Sequence, residues 1–179
     1  MQTLGRAEDS IHVEAPPRTV YDLVADVTRT PEYSPEVDEV VWLDDGGPRV
    51  GARFRARNRV PPDSRFSWHN KPIVMAAEPG REFAFARTEA FAGTLVWRYR
   101  FEPEGTGTRV TESYEIARPV GRIGWFIIGT LGRDRDRMTT MRAGLHESLQ
   151  RLQRVAEADA GSSPSNPRPD RPGDGAGPG

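Results

Sequence analysis

The pattern of apolar and polar positions is most regular near the C-terminus, over residues 131–158. Apolar side chains recur there at intervals of three, four and seven, which places them on one side of a helix with about 3.6 residues per turn. They are Leu131, Met138, Met141, Leu145, Leu149, Leu152 and Ala156. Because so long an apolar stripe needs a large surface to cover it, we predict that this helix packs against a sheet.

Earlier segments alternate with a period of two, which is typical of half-buried strands. Residues 10–14 form the first predicted strand, and residues 17–27 have the spacing of a short amphipathic helix that begins at a proline. The proline-broken segment 28–37 predicts a turn or a second short helix. About six strands then follow up to residue 116 without a helix-length spacer, so we expect an antiparallel sheet in an α+β domain.

The chain ends in a change of composition. Residues 161–179 are rich in glycine and proline and contain no Leu, Ile, Val or Phe, so they cannot bury a core and are predicted to be a disordered tail. We therefore predict a single domain over residues 10–160, preceded by an N-terminal arm at residues 1–9.

Composition excludes several classes of function. With 25 Lys and Arg against 26 Asp and Glu, the chain lacks the basic excess that nucleic-acid binding requires. The absence of cysteine removes disulfides and thiolate chemistry and suits a reducing cytoplasm. We expect no secretory signal, since the N-terminus has no apolar core, and no membrane-spanning helix, since the longest run of large apolar residues is 125–128. Arginine in place of lysine is typical of a high-GC bacterial genome.

Several stretches together resemble the polyketide cyclase/dehydrase branch of the superfamily that also contains START domains and birch-pollen-allergen-like proteins. They are SIHVEAPPRTVYDLVAD, TPEYSPEVDEVVW, VGARFRARN, AEPGREFAF and WRYRFEPEGTGTRVTE. The resemblance implies a helix-grip fold, in which a curved antiparallel sheet wraps around the C-terminal helix after two short helices. It also implies a cavity between sheet and helix. One departure is Tyr33, where relatives often carry Trp, which we interpret as a matter of helix packing.

No catalytic or metal-binding motif accompanies this fold. The three histidines, His12, His69 and His146, have none of the spacings of zinc sites. There is no nucleophile elbow, and the Gly105–Gly107 segment belongs to a hairpin and not to a dinucleotide loop. We therefore expect no metal and no cofactor.

The remaining candidates are polar residues on inward-facing strand positions. Glu112 shares its parity with Val110 and Tyr114, so its carboxyl is expected to point inward and to have a raised pKa. It is a candidate general acid/base or ligand anchor with Tyr114, or alternatively a structural carboxyl bonded to a neighbouring side chain. Asn58 and Tyr99 extend the same polar cluster toward a carbonyl or hydroxyl ligand.

Aromatic residues and methionines complete the predicted lining. Aromatic side chains in such strands more often form core, but flexible thioethers on the helix suit an adaptable pocket. The predicted ligand-binding residues are Phe54, Asn58, Trp68, Phe85, Trp97, Tyr99, Glu112, Tyr114, Met138, Met141 and Leu145. The pattern leaves open which face of the strand at residues 81–87 is turned inward.

The glycine-containing segment 119–131 allows three interpretations: a core-packed helix, a lid over the cavity mouth, or a peripheral membrane contact through residues 120–131. As a lid, its gating residues would be Trp125, Phe126 and Ile127.

We favour a non-catalytic carrier or sensor of a small hydrophobic, lipid- or polyketide-like molecule. The alternatives are a polyketide aromatase/cyclase, a lyase or isomerase using Glu112 and a tyrosine, and a peripheral membrane protein. The sequence does not determine the oligomeric state.

Overall fold

The structure is a computed structural model that describes residues 6–45, 47–59, 67–89, 93–118 and 137–162. These residues form eight strands and three α-helices, which confirms the predicted α+β class and the order of its elements. The elements are β1 Arg6–Val13, α1 Pro17–Ala25, a 3-10 turn Val27–Arg29, α2 Thr30–Tyr33, β2 Val37–Trp42, β3 Phe54–Arg59, β4 Ser67–Asn70, β5 Ile73–Glu78, β6 Glu82–Glu89, β7 Gly93–Glu104, β8 Gly107–Arg118 and α3 Arg137–Ser162.

The strands form two antiparallel sheets that meet at one corner. One sheet has the order β1-β8-β7-β6-β5, and the other has the order β2-β3-β4. Arg53 and Ile73 form a bridge between them, and the Val74 N–H donates to the Ala52 carbonyl at 2.8 Å. The backbone ladder therefore continues from one sheet to the other around a curved surface, as the helix-grip prediction requires.

Helix α3 covers the concave side of this surface. Leu149 and Leu152 are fully buried within the main core cluster, as the periodicity of the sequence predicted. Helix α1 begins at Pro17, whose fixed φ suits the first helical position, and its Tyr21 packs edge-on against Phe83 and Phe101. Because Phe83 contacts Tyr21 of α1 and Phe85 packs against the same core cluster, the open question of strand β6 is settled: Phe83 and Phe85 face inward.

Strand β1 begins earlier than predicted. Its ladder with β8 starts at the pair Arg6–Glu115 and includes the pair Asp9–Glu112, so residues 6–9 of the predicted arm belong to the sheet. The local sequence is mostly charged and gives no apolar alternation, and the hydrogen bonds of the neighbouring strand hold it in place. At the other end, α3 continues to Ser162. The predicted helix start at Leu131 lies outside the described residues. Residues 161 and 162 of the predicted tail belong to α3, and the rest of that tail lies outside the described residues.

The hairpin between β7 and β8 packs very closely on the end of β1. A Cβ added to Gly107 would lie 2.2 Å from the Val13 carbonyl oxygen, so only glycine fits there. Beside it, His12 bonds to the carboxylates of Glu14 and Glu104 at 3.0 and 2.9 Å. This close contact fixes the turn against the first strand.

Candidate functional site

A cavity lies between the concave sheet, helix α3 and the segment from α1 to β2. Its volume is about 110 Å³, whereas one water molecule needs roughly 10–15 Å³ on the same measure. Its walls are mainly apolar, with Phe54, Phe85 and Trp97 on the strands and Leu145 on the helix. Such a space suits a small organic molecule rather than a single bound water.

Three neighbouring strands place a row of polar side chains in this region. Asp9 on β1 is paired with Glu112 on β8, and Glu112 is paired with Tyr99 on β7, so all three side chains project from the same face of the sheet. The Tyr99 hydroxyl donates to Glu112 Oε1 at 2.7 Å. The other oxygen, Oε2, is buried and has no hydrogen-bond partner among the described residues. Glu112 therefore has one oxygen available to a ligand.

The environment of Glu112 favours its neutral form. Only 3 % of the residue is exposed, and loss of water raises its pKa from the ordinary 4.5 to about 8. This value already includes two smaller effects: the hydrogen bond from Tyr99 lowers the pKa, and the negative charge of Asp9 raises it. At neutral pH the side chain is therefore mainly a carboxylic acid, which can donate a hydrogen bond from Oε2.

Two tyrosines contribute hydroxyl groups to the same cavity. Burial raises the pKa of Tyr33 and of Tyr99, and the nearby Glu112 adds to both shifts. Both phenols therefore stay protonated at neutral pH and act as hydrogen-bond donors. The Tyr33 hydroxyl lies 3.5 Å from Thr30 Oγ1, where either oxygen could be the donor.

The three-stranded sheet contributes two buried amides. Asn58 and Asn70 are 5 % and 7 % exposed, and both line the cavity. The Asn58 Nδ2 group donates to the Ala56 carbonyl at 3.3 Å. Asn70 Oδ1 is buried without a hydrogen-bond partner among the described residues. The cavity thus has polar groups on both sheets and apolar surface between them.

Seven of the residues predicted from the sequence line this cavity: Phe54, Asn58, Phe85, Trp97, Tyr99, Glu112 and Leu145. Two others do not. Tyr114 is buried beyond the wall, in a cluster with Ala7 and Leu145, with its ring centroid 5.3 Å from that of Trp97. Trp68 is half-buried and lies two pairs further along the ladder than Asn70, opposite Asn58.

The predicted gate and part of the predicted helix wall are not covered by the described residues. The side chains of Met138 and Met141 and the gating residues Trp125, Phe126 and Ile127 lie outside the described residues. On the described part of α3, Gly144 and Ser148 line the cavity, and a Cβ added to Gly144 would lie 3.9 Å from Glu36 Oε1.

Sequence reasoning missed seven polar residues that line the cavity: Thr30, Tyr33, Ser34, Glu36, Asn70, Arg87 and Ser148. The sequence predicts a packing role for Tyr33, and in the structure its buried side chain also lines the cavity. Asn70 shares its parity with Trp68, which was predicted to line the cavity. The alternation along β4 could therefore have identified Asn70 as a lining residue. Arg87 continues the alternation of Phe83 and Phe85 along β6, which places it on the same inward face.

The histidines do not converge on this site. His12 lies at the hairpin, while His146 Nδ1 bonds to Asp9 Oδ2 at 2.9 Å where α3 meets β1. Within the described ranges, no three His, Asp or Glu side chains are grouped so as to hold a metal ion. In the same ranges, no helix combines the length and the apolar character needed to cross a bilayer.

Comparison with known proteins identifies relatives of the same architecture. A family described as "Polyketide cyclase / dehydrase and lipid transport" matches residues 5–157. The polyketide-cyclase-like protein Cgl2372 of Corynebacterium glutamicum is 34% identical, with 88% of this chain and 94% of that chain covered and a TM-score of 0.57. No curated protein sequence gives a significant match.

Two aromatase/cyclase structures share the fold at lower identity. The Zhui aromatase/cyclase of a Streptomyces species is 19% identical, with 86% of this chain and 93% of that chain covered and a TM-score of 0.65. The di-domain ARO/CYC protein StfQ of the steffimycin pathway is 17% identical over 87% of this chain, with a TM-score of 0.68. This chain spans about half of StfQ, since 51% of that chain is covered.

Proposed function

The chain belongs to the polyketide cyclase/dehydrase and lipid transport family, and from this premise we propose that it binds a small, largely apolar organic molecule as a carrier or sensor. The ligand would lie between the sheet and α3. The observation that carries the proposal is the buried Glu112–Tyr99 pair: Glu112 lines an apolar cavity, and one of its carboxyl oxygens has no hydrogen-bond partner among the described residues.

An unpartnered buried carboxyl is unfavourable, because the group has lost water without gaining a replacement. A ligand oxygen that accepts a hydrogen bond from Glu112 Oε2 would remove this deficit. The aromatic wall of Phe54, Phe85 and Trp97 would cover the apolar body of the same molecule. The ligand class that fits best is therefore an apolar molecule with a carbonyl or another hydrogen-bond acceptor.

A second candidate function is an aromatase/cyclase, and the pKa of Glu112 favours it. A carboxyl with a pKa of about 8 can both give and take a proton near neutral pH. In an aldol-type ring closure, the Glu112 acid would protonate the carbonyl oxygen under attack by an enol carbon of the same chain. The carboxylate would then take the proton released by the enol hydroxyl, while the Tyr99 hydroxyl holds Oε1.

Two variants of Glu112 separate binding from catalysis. Glu112→Gln keeps a hydrogen-bond donor but cannot exchange a proton, whereas Glu112→Leu removes the donor. For a carrier of neutral carbonyl compounds we expect Glu112→Gln to bind within about threefold of wild type and Glu112→Leu to bind about tenfold more weakly. Calorimetric titration with acetophenone measures both effects, and Glu102→Gln, an exposed residue of β7, is the matched control.

The same variants decide between the two candidates when a polyketone substrate is supplied. An enzyme that uses Glu112 would lose turnover in Glu112→Gln while retaining binding. Equal turnover in wild type and Glu112→Gln would remove this residue from any mechanism. If wild type binds no apolar ketone and native mass spectrometry finds no co-purified ligand, the carrier proposal is wrong.

The other sequence-based alternatives stay predictions. The peripheral membrane interpretation depends on residues 120–131, which lie outside the described residues, so no contact described above favours it. The cytoplasmic location likewise remains an expectation from composition.

A further inference from the structure

We propose that the cavity has a second polar subsite at Asn70, so that the preferred ligand carries a hydrogen-bond acceptor at one end and a hydrogen-bond donor at the other. The simplest such molecule has an apolar body with a hydroxyl group at one end and a carbonyl group at the opposite end. This inference rests on the proposed binding function and specifies which ligands the cavity selects.

Asn70 is built into the wall rather than placed at its rim. It is the last residue of β4, is 7 % exposed, and is paired with Ala56 on β3. The small Ala56 side chain also lines the cavity, so the longer Asn70 side chain meets no bulky neighbour across the ladder. Its Oδ1 atom is buried and lacks a hydrogen-bond partner among the described residues. A buried amide oxygen without a partner is a position where a ligand donor gains a full hydrogen bond.

The two subsites lie on different sheets. Glu112 belongs to the five-stranded sheet and Asn70 to the three-stranded sheet. Phe54 and Phe85 connect the sheets at the cavity wall, with ring centroids 5.3 Å apart. A ligand that satisfies both polar residues would bridge the two sheets, and we infer that its polar atoms lie at separate ends, with an apolar middle against these rings.

The chemistry at each end follows from the atoms that are left without partners. At Glu112 the acid donates from Oε2, so the ligand atom there must accept. At Asn70 the amide oxygen accepts, so the ligand atom there must donate. Glu36 and Arg87 also line the cavity, but both already interact within the protein and so do not require a charged ligand group.

Matched aromatic ketones test the second subsite. The probes are acetophenone, para-hydroxyacetophenone and para-methoxyacetophenone, with a naphthalene series that carries the same groups at opposite ends of a longer ring system. In wild type we expect the hydroxyl ketone of at least one series to bind about five- to tenfold more tightly than its parent ketone, and the methoxy ketone to show no such gain. Calorimetric titration gives the dissociation constants.

Two variants test whether Asn70 causes the gain in affinity that the hydroxyl group gives. Asn70→Leu keeps the shape of the side chain but removes the acceptor, so the ratio between parent and hydroxyl ketone should fall to about one. Ser148→Ala, a polar lining position on α3, should leave the ratio unchanged. In wild type, the Asn70 side-chain amide resonances should shift with the hydroxyl ketone and not with the methoxy ketone, which tests the contact even if Asn70→Leu does not fold.

The possible failures are distinguishable. If no parent ketone binds wild type, the proposed function itself is wrong. If parent ketones bind but neither series gains from the hydroxyl, the second subsite is wrong. If the gain persists in Asn70→Leu or disappears in Ser148→Ala, the donor binds elsewhere and the assignment to Asn70 is overturned.

Discussion

Replacing Glu112 with glutamine should make the protein more stable at alkaline pH and nearly unchanged at acid pH. In the unfolded chain this carboxyl titrates near its ordinary 4.5, whereas burial raises the pKa to about 8 in the folded protein. Below pH 4.5 the carboxyl is protonated in both the folded and the unfolded state, so its burial does not lower the free energy of unfolding through ionisation. As the pH rises, the unfolded state ionises first and is stabilised, so the free energy of unfolding falls until the folded state ionises as well.

The size of the effect follows from the two pKa values. Each pKa unit corresponds to about 1.4 kcal/mol, so the shift of Glu112 from 4.5 to about 8 lowers the free energy of unfolding by about 5 kcal/mol above pH 8 and by about 3 kcal/mol at pH 7. Glutamine does not titrate and can still accept the Tyr99 hydroxyl. Its Nε2 group has two hydrogens without a partner, whereas the acid has one, and the additional N–H group costs about 1 kcal/mol. The variant should therefore lie within about 1 kcal/mol of wild type at pH 4.5.

Urea unfolding, monitored by tryptophan fluorescence at several pH values between 4.5 and 8.5, measures the difference in the free energy of unfolding between variant and wild type. The pKa of His12 is also raised, first by its hydrogen bond to Glu104, so His12 adds its own loss of stability as the pH rises through neutrality. Both proteins share that contribution, which cancels in the difference between variant and wild type. Glu102→Gln is the control and should give a flat difference. Parallel pH profiles for wild type and Glu112→Gln would refute the buried, neutral state of this carboxyl.

Three further changes have directions that the structure determines. Tyr99→Phe removes the donor to Glu112 and should raise the pKa of that carboxyl further, as followed by carbon NMR of the labelled side chain; an unchanged pKa would show that this hydrogen bond is weak. Asp9→Asn removes a neighbouring negative charge and should lower the same pKa, and a rise would contradict the assigned coupling. Gly107→Ala brings a Cβ within 2.2 Å of a backbone oxygen and should lower the free energy of unfolding by about 2–4 kcal/mol. The control is Gly161→Ala in α3, where an added Cβ would meet no atom within 4 Å, so this change should be neutral or slightly stabilising. Equal melting temperatures for the two glycine variants would exclude the steric argument.

Local patterns in the sequence predicted the elements and much of the lining. The period of two on β8 placed Glu112 inward, and the helical period placed Leu149 and Leu152 in the core, because both depend only on neighbours along the chain. The Asp9–Glu112 pair was beyond this reasoning. The register between strands about a hundred residues apart is set by tertiary packing and not by either strand alone.

Tyr33 shows a second limit. Helix α2 has only four residues, too few to display a periodicity, and nothing in its sequence tells which way its tyrosine points. The side chain lines the cavity because α2 lies between β2 and α3. Polar residues on short, irregular elements therefore have to be located by the fold, whereas those on long strands can be placed from parity.

The polar row of Asp9, Glu112 and Tyr99 is difficult to explain as a structural device. An apolar residue at position 112 would avoid a penalty of about 3 kcal/mol at neutral pH, which is a large part of the 5–15 kcal/mol that stabilises a typical domain. Tyr99 compensates only one carboxyl oxygen, and Asp9 increases the penalty instead of relieving it. Asp9 also bonds to His146 of α3, so the row extends from the seam between helix and sheet to the cavity wall. A ligand that accepts a hydrogen bond from Glu112 would convert this unfavourable arrangement into binding free energy. The ligand should then stabilise the protein most where Glu112 is protonated, and progressively less as the pH rises above about 8.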